Sequence, residues 1–181
     1  PYDFVMSHRE EHLDRFSNWC HRTFQPQDLT YFLMALRQLY RNFGTLEKLF
    51  LRPDEPNLKM GIHRFHQEFF SFDPAPRTHK HVSDPLKGSA AKRLNMFLRW
   101  MVRSPHRGVD FGLWKSIDPA QLSCPLDVHS GNIARKLGLL KRTQNDWKSV
   151  DELDTALRSF DPVDPVKYDF ALFGLGVFED L

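Results

Sequence analysis

The chain has 181 residues, of which 41% are hydrophobic and 27% are charged, and its formal net charge is +2. This composition suffices for a packed core and excludes a disordered chain, and no apolar run approaches the roughly 18 residues of a membrane span. Cys20 and Cys124 are the only cysteines, which excludes a four-thiolate zinc or iron–sulfur site within this chain and favours buried free thiols. We expect a cytoplasmic monomer with no membrane partner.

Basic residues are concentrated in one part of the chain. Between Arg77 and Arg107 there are eight Lys or Arg residues and one acid, Asp84, so the remainder of the chain is net acidic. We call residues 77–107 the basic sector. Such a sector favours phosphate binding, because each neutralised phosphate releases counterions. The alternative is a solvated helix face whose charge is balanced by acids elsewhere.

The N-terminal part of the chain is predicted to be helical. It begins at Pro1 within a segment that already looks helical, so we expect that residues upstream are missing. The first clear helix runs from about Asp28, as its cap, to Phe43, with an apolar stripe at helical spacing and Gly44 as its stop.

Two further helices are predicted next, one from Thr45 that must end by Pro53 and one over residues 57–72. The second carries His63 and His66, which share a helix face and would allow a zinc or two-metal site. No carboxylate lies at ligand spacing with them. We therefore favour surface or DNA-facing imidazoles and predict no metal site.

A turn of small residues leads into the most basic helix, and together they span about residues 83–103. Gly88, Ser89, Ala90 and Ala91 form the turn. Their small side chains would let a DNA strand approach the backbone closely. The alternative is that Ser89 is an ordinary N-cap and that the alanines are simply good helix formers.

Two segments follow the basic helix. Residues 104–124 are interpreted as an insertion, in which Trp114 either stacks on a base or packs in the core, the more common role. Residues 125–139 carry Asp127 at a predicted helix start, where a carboxylate caps the helix and stays ionised. His129 either orients that carboxylate or packs against the protein.

The C-terminal part is predicted to hold two more helices. A capping box over residues 149–152 starts the first of them. The last helix opens at Pro165 and is terminated by Gly174 and Gly176. No alternating run is long enough for a sheet, so we predict an all-α fold over residues 1–181, as one domain or as one domain with two helical lobes.

The turn and the aspartate segment together resemble the core of the helix-hairpin-helix DNA glycosylase superfamily. In that superfamily the hairpin reads Gly-x-Gly-x-Lys, and Gly88, Ala90 and Lys92 take those places here, with alanine as the second small residue. The later segment reads Val-Asp-x-His, and Leu126-Asp127-Val128-His129 is similar to it.

The layout departs from the common members of that superfamily. Lys92 and Asp127 are 35 positions apart, further than is usual, and the intervening insertion is similar to that of the archaeal oxoguanine glycosylase branch. The strings over residues 92–100 and 164–174 look like a bacterial family of unassigned function, and this nearer resemblance covers most of the chain.

The resemblance implies a DNA base-excision repair enzyme that acts on double-stranded DNA, with oxidised guanine as the base suggested by the similar branch. Lys92 would attack the sugar and form a Schiff base, and Asp127 would stabilise the transition state and accept the proton of Lys92. An amine attacks only when neutral, so Lys92 must be withdrawn from water or flanked by positive charge. No cofactor is implied beyond a monovalent cation at the hairpin backbone. The implied DNA-binding residues are Gly88, Ser89, Ala90, Ala91, Lys87, Arg93, Arg99 and His129.

Two other functional classes remain open at this point. A non-catalytic DNA-binding or scaffold protein would keep the fold and lack the reaction. Metal-dependent hydrolysis on the histidines would require activity that a chelator abolishes and that does not depend on Lys92.

Overall fold

The computed structural model describes residues 1–52, 54–72, 74–104 and 108–178. Helices account for 61% of the structure and no β-strand occurs among the described residues, so the predicted all-α class is confirmed. The α-helices in these ranges are α1 (Tyr2–Ser7), α2 (Pro26–Phe43), α3 (Glu47–Phe50), α4 (Lys59–Phe69), α5 (Lys92–Val102), α6 (Val128–Lys136), α7 (Trp147–Phe160) and α8 (Asp169–Phe178). Short 3₁₀ turns occur at Glu10–His12, Asp14–Phe16, Pro76–His81, Pro85–Lys87, Pro119–Gln121 and Pro165–Tyr168.

The helices share one cluster of buried apolar side chains. Leu39 of α2, Ile62 of α4, Leu98 of α5, Ile133 of α6 and Leu153 of α7 all belong to it. Each fully buried side chain of this size contributes roughly 1.5–3 kcal/mol relative to exposure. In the described part of the chain no helix is both long enough and apolar enough to cross a bilayer.

The start of α2 differs from the prediction. Asp28 does not cap the helix, because Gln25 is the cap and its N–H donates to Asp28 at 2.9 Å. The carboxylate of Asp28 is buried, where it also accepts bonds from Arg77 and from the Thr78 hydroxyl, both at 2.8 Å. His81 Nε2 lies 3.1 Å from the same carboxylate. Asp28 therefore ties α2 to the Pro76–His81 turn and neutralises one charge of the basic sector.

Helices α3 and α4 are both shorter than predicted. α3 begins two residues after Thr45, and the predicted limit at Pro53 lies outside the described residues. α4 starts two residues later and ends three residues earlier than the predicted 57–72 segment. Periodicity thus located both helices but not their ends.

The predicted start of α7 was wrong. The helix begins at Trp147 and its cap is Asp146, which accepts a bond from the Ser149 N–H at 3.1 Å. The predicted capping box over residues 149–152 therefore lies inside the helix.

The predicted end of α8 was also wrong, because the helix continues through Gly174 and Gly176 to Phe178. Gly176 faces α6 so closely that a Cβ atom there would lie 3.0 Å from the backbone oxygen of His129. Glycine at this position serves close helix packing rather than helix termination.

A buried ion-pair network joins α5 to the C-terminal elements. Arg99 pairs with Asp169 of α8 and with Asp110, the latter at 3.3 Å. Arg103, the residue that follows α5, pairs with Asp110 at 2.6 Å and with Asp164 at 2.8 Å. These contacts hold α8, and through it α6, against α5. The division into a hairpin over residues 83–103 and an insertion over residues 104–124 stays a prediction, and residues 105–107 lie outside the described part.

Candidate active site

Lys92 is the first residue of α5, and the turn before it reverses the chain. Asp84 caps the Pro85–Lys87 turn by accepting a bond from the Leu86 N–H at 2.9 Å. Gly88 then adopts a φ of +87° and Ala91 a φ of +46°, both in the left-handed region. The left-handed conformation is natural for glycine and strained for alanine. Two such residues within four positions direct the chain into α5 just before Lys92.

The small residues of this turn have different environments. Ala90 and Ala91 are buried, whereas Gly88 is exposed. Ser89 is not the cap of α5, since that position is Ala91, whose N–H donates to the Ser89 hydroxyl at 3.1 Å. A DNA strand could therefore reach the backbone at Gly88, as expected, but not at the buried Ala90 and Ala91.

Two backbone carbonyls of the turn already have protein donors. The Gly88 oxygen accepts a bond from the Trp147 N–H at 3.0 Å, and the Ala90 oxygen accepts one from the side-chain amide of Asn95 at 3.0 Å. These two oxygens hold the turn against α7 and α5. A monovalent cation at the hairpin backbone would have to share these oxygens with their donors or use other carbonyls.

Asp127 is the N-cap of α6, as predicted. Its Oδ1 atom accepts bonds from the N–H and the hydroxyl of Ser130 at 3.0 and 3.1 Å. Its Oδ2 atom lies 3.4 Å from Lys92 Nζ. One carboxylate oxygen is thus fixed by the helix start and the other faces the lysine. We call these two side chains the Lys92–Asp127 pair.

The pair is accessible to solvent, with 40% of the Lys92 side chain and 20% of the Asp127 side chain exposed. Burial acts to raise the pKa of Asp127, but the bond from the Ser130 N–H and the charge of Lys92 outweigh it and lower that pKa overall. Asp127 therefore remains a carboxylate at neutral pH.

Ser130 is a site residue that sequence reasoning missed. It is buried, and its hydroxyl also accepts a bond from the Asp127 N–H at 3.0 Å, which completes a capping box. The signal was present as Asp-x-x-Ser spacing at a helix start. His129 does not orient Asp127 in this structure: its Nδ1 atom lies 3.2 Å from the Gly176 oxygen, and its ring packs edge-on to Phe173.

Buried groups lie on the inner side of the pair. Burial raises the pKa of Asp169 and the charge of Asp127 adds to this, although Arg99 acts in the opposite direction. Burial also raises the pKa of the Cys124 thiol well above its usual value, so this thiol is an inert core group. The expectation of buried free thiols is confirmed for Cys124 but not for Cys20, which is free and exposed.

Several basic side chains of the basic sector form ion pairs inside the protein. Arg99 was expected to bind DNA, but it is only 4% exposed and its charge is neutralised by Asp110 and Asp169, so we correct that expectation. Lys80, Lys87 and Arg93 are exposed, and Arg107 lies outside the described residues. The exposed cations nearest to Lys92 in sequence are Lys87 and Arg93.

The histidines and Trp114 are held by the protein itself. His66 is buried with its Nδ1 atom 3.1 Å from the Val82 oxygen, which corrects the expectation of a surface or DNA-facing imidazole. His63 lies 3.0 Å from Asp84, a carboxylate that local spacing did not reveal. No group of three or more potential metal ligands occurs among the residues that the structure describes. Trp114 is buried, so the core alternative applies rather than base stacking at the surface.

The fold and the site define a class of protein: an all-α chain with a solvent-accessible lysine–aspartate pair formed by the starts of two helices. Residues 1–178 match a family described as a protein of unknown function, DUF2400, and the chain belongs to that family. Searches among curated proteins and among solved structures give no significant match.

Proposed function

We propose that the protein is a DNA glycosylase with AP lyase activity, built on a fold like that of the helix-hairpin-helix glycosylases. The observation that carries the proposal is the 3.4 Å approach of Lys92 Nζ to Asp127 Oδ2. These residues are 35 positions apart in sequence, and each stands at the start of its helix. A lysine amine beside an ionised carboxylate is the pair of groups that the proposed Schiff-base chemistry uses, and bound DNA would have to withdraw the Lys92 amine from water before it attacks.

In the proposed reaction a damaged nucleotide is rotated out of the duplex toward the pair, at a cost of a few kcal/mol. Lys92 first loses one proton to solvent. The neutral amine then attacks the anomeric carbon of the sugar while the bond to the base breaks, and the proton released by the attacking nitrogen leaves with the base. The resulting adduct opens to an iminium, from which β-elimination cleaves the strand on the 3′ side.

The environment of Asp127 favours an electrostatic role. A carboxylate with a lowered pKa is a poor proton acceptor, so Asp127 opposes the positive charge of an oxocarbenium-like transition state instead of taking the proton of Lys92. This assignment is narrower than the one the sequence suggested, in which Asp127 had both roles.

Positive charge beside the pair supports binding of the DNA backbone. Lys87 and Arg93 are exposed on either side of the turn. The first-turn N–H groups of α5, which has no side-chain cap, add the positive end of a helix dipole. Phosphates on both sides of the extruded nucleotide would contact these groups.

Borohydride trapping on a panel of duplexes, each with one lesion or one abasic site, tests the proposal. Reduction of the iminium would link the protein covalently to DNA, so wild-type protein should give a shifted band on a denaturing gel. Lys92→Gln should abolish the band and Asp127→Asn should slow base release about 100-fold, the scale for loss of one electrostatic stabiliser. Lys80→Gln, which removes an exposed cation of the basic sector that has no part in the proposal, is the matched control and should keep the band.

The alternative is a DNA-binding or scaffold protein, which the exposed Lys87 and Arg93 support equally well. Such a protein would bind DNA in a salt-sensitive manner and give no covalent product with any lesion. A band of equal intensity in Lys92→Gln would also contradict the proposed chemistry, because some other amine would then be responsible.

A further inference from the structure

A cavity lies against a different face of α5 from the one that carries Lys92. It measures about 590 Å³ and is enclosed by α2, α4, α5 and Trp114. Arg93, Leu94, Phe97 and Met101 line it from α5, and the Lys92–Asp127 pair is not part of its lining. Its volume is in the range of small-molecule binding sites.

The wall of this cavity is mainly apolar and is incompletely covered. The half-buried apolar side chains include Phe32, Leu36, Tyr40, Leu94, Phe97 and Met101. Apolar surface left beside water favours the binding of an apolar body of matching size. The aromatic members of the wall would offer edge-to-face and stacked contacts to a ring.

Arg93 and Met101 lie at opposite ends of the cavity wall that α5 forms, and Arg93 is the only Lys or Arg among the described residues that line the cavity. His81 packs against Phe24 and Phe32, near the start of α2, and Arg93 is the second residue of α5. Met101 is eight residues further along α5, about 12 Å away, and its oxygen accepts a bond from the Trp114 N–H at 2.8 Å. The cavity therefore has a cationic end and an apolar end.

The charge at the cationic end is not balanced locally. Arg93 is exposed and forms no ion pair with any residue in the described ranges, and no Asp or Glu is found among the described residues that line the cavity. His81 Nε2 already has a partner, the carboxylate of Asp28 at 3.1 Å, so Arg93 is the charged group left for a ligand. An anionic group could therefore bind Arg93 without an opposing carboxylate.

We propose that this cavity binds a small anionic molecule with an aromatic or alkyl body, whose carboxylate or sulfonate contacts Arg93. A nucleobase fits the site less well, because its edges carry several donors and acceptors. Besides Arg93, the polar side chains that line the described wall are the hydroxyl groups of Tyr40, Thr45 and Ser83 and the imidazole of His81, which is already bonded to Asp28. Several of those edges would therefore be buried without partners. The inference does not rest on the proposed glycosylase activity, since Lys92 lies outside the cavity, and a ligand bound to Arg93 would compete with DNA for that side chain.

Isothermal titration with 1-naphthoate and with its uncharged analogue 1-naphthalenemethanol tests the proposal. Naphthoate should bind at a stoichiometry of one, and the alcohol should bind about tenfold more weakly, as expected for loss of one charged hydrogen bond. Arg93→Gln should weaken naphthoate binding about tenfold and leave alcohol binding unchanged. Lys87→Gln, the matched loss of an exposed cation outside the cavity, should leave both affinities within about twofold.

A cavity-filling variant gives an independent test. Leu36→Trp places a larger ring in existing space, so it should abolish naphthoate binding while thermal unfolding stays cooperative. The proposal is overturned if wild-type protein does not bind naphthoate, if the alcohol binds equally well, or if adenosine 5′-monophosphate binds more tightly. Unchanged naphthoate affinity in a folded Leu36→Trp protein would place the ligand elsewhere and would also overturn it.

Discussion

Ser130 determines how Asp127 is held, because its N–H and hydroxyl both donate to Oδ1. We predict that Ser130→Ala lowers the free energy of unfolding by about 1–2 kcal/mol and raises the pKa of Asp127, since the capping box and one stabilising bond are lost. Urea denaturation measures the first effect. Ser71→Ala is the control, because among the described residues its exposed hydroxyl bonds to the Glu68 oxygen alone, and equal stability of the two variants would refute the prediction.

Asp154 is the residue with the clearest consequence for pH dependence. Burial raises its pKa to about 6, although it accepts a bond from the Cys124 N–H at 2.9 Å. Compared with the unfolded chain, the folded protein favours the protonated form of Asp154. Asp154 therefore stabilises the fold fully below the unfolded pKa of 3.8, and this stabilisation is lost as pH rises through about 6. Burial also raises the pKa of Asp169, so this carboxyl group changes the stability of the fold with pH in the same direction.

We predict that the contribution of Asp154 to stability falls by about 1–2 kcal/mol between pH 5 and pH 7. The difference in unfolding free energy between wild-type protein and Asp154→Asn, measured by urea denaturation at both pH values, reports this change directly. Asp54→Asn, at an exposed carboxylate, is the surface control for the loss of one carboxyl group. A difference that is constant with pH, or that grows in the opposite direction, would contradict the assignment.

At the scale of elements, α8 offers a matched pair of glycines. Gly176→Ala places a Cβ atom 3.0 Å from the His129 backbone oxygen, whereas a Cβ atom at Gly174 has nothing within 4 Å. We predict that Gly176→Ala destabilises the protein by about 1–3 kcal/mol by forcing α6 and α8 apart. Gly174→Ala should stabilise it by about 0.5–1 kcal/mol through helix propensity. Thermal unfolding of both variants measures this, and similar shifts in the same direction would count against the packing explanation.

These elements show which structural features the sequence could reveal. Apolar periodicity located α2, α5 and α7, and the Asp127 cap was visible from its position before an apolar run. The glycines of α8 were taken for a stop because intrinsic propensity is a local property, whereas their role depends on a helix about 45 residues away in sequence. The caps of α2 and α7 were misplaced because each start offers more than one polar residue able to accept a first-turn bond.

The candidate site likewise contains residues that the sequence revealed and residues that it did not. Lys92 and Asp127 were singled out from a motif, and their predicted proximity is found in the structure. Arg99 was misassigned to the DNA surface because its partners Asp110 and Asp169 come from distant segments that no local pattern connects to it. Burial of a charge depends on such long-range partners.

At the scale of the whole molecule, several basic side chains form ion pairs inside the protein, and this limits how strongly DNA binding can depend on salt. Beside the pair only Lys87, Lys92 and Arg93 are available at the surface of the described turn, because Arg99 and Arg103 are buried. We predict a slope of log K against log salt of about −2 to −3, reduced in magnitude by about one in Lys87→Gln. Fluorescence anisotropy with a labelled duplex between low and moderate salt measures it. A slope of about −6 or steeper would mean that a larger surface contacts DNA.

The location of the covalent bond tests the central claim most directly. After borohydride trapping on the lesion duplex that reacts best, or on the abasic duplex, the product is digested with nuclease and protease and analysed by peptide mass spectrometry. We predict that the sugar remnant is attached to Lys92 alone. Attachment to another amine, or no adduct on any duplex tested, would contradict the account.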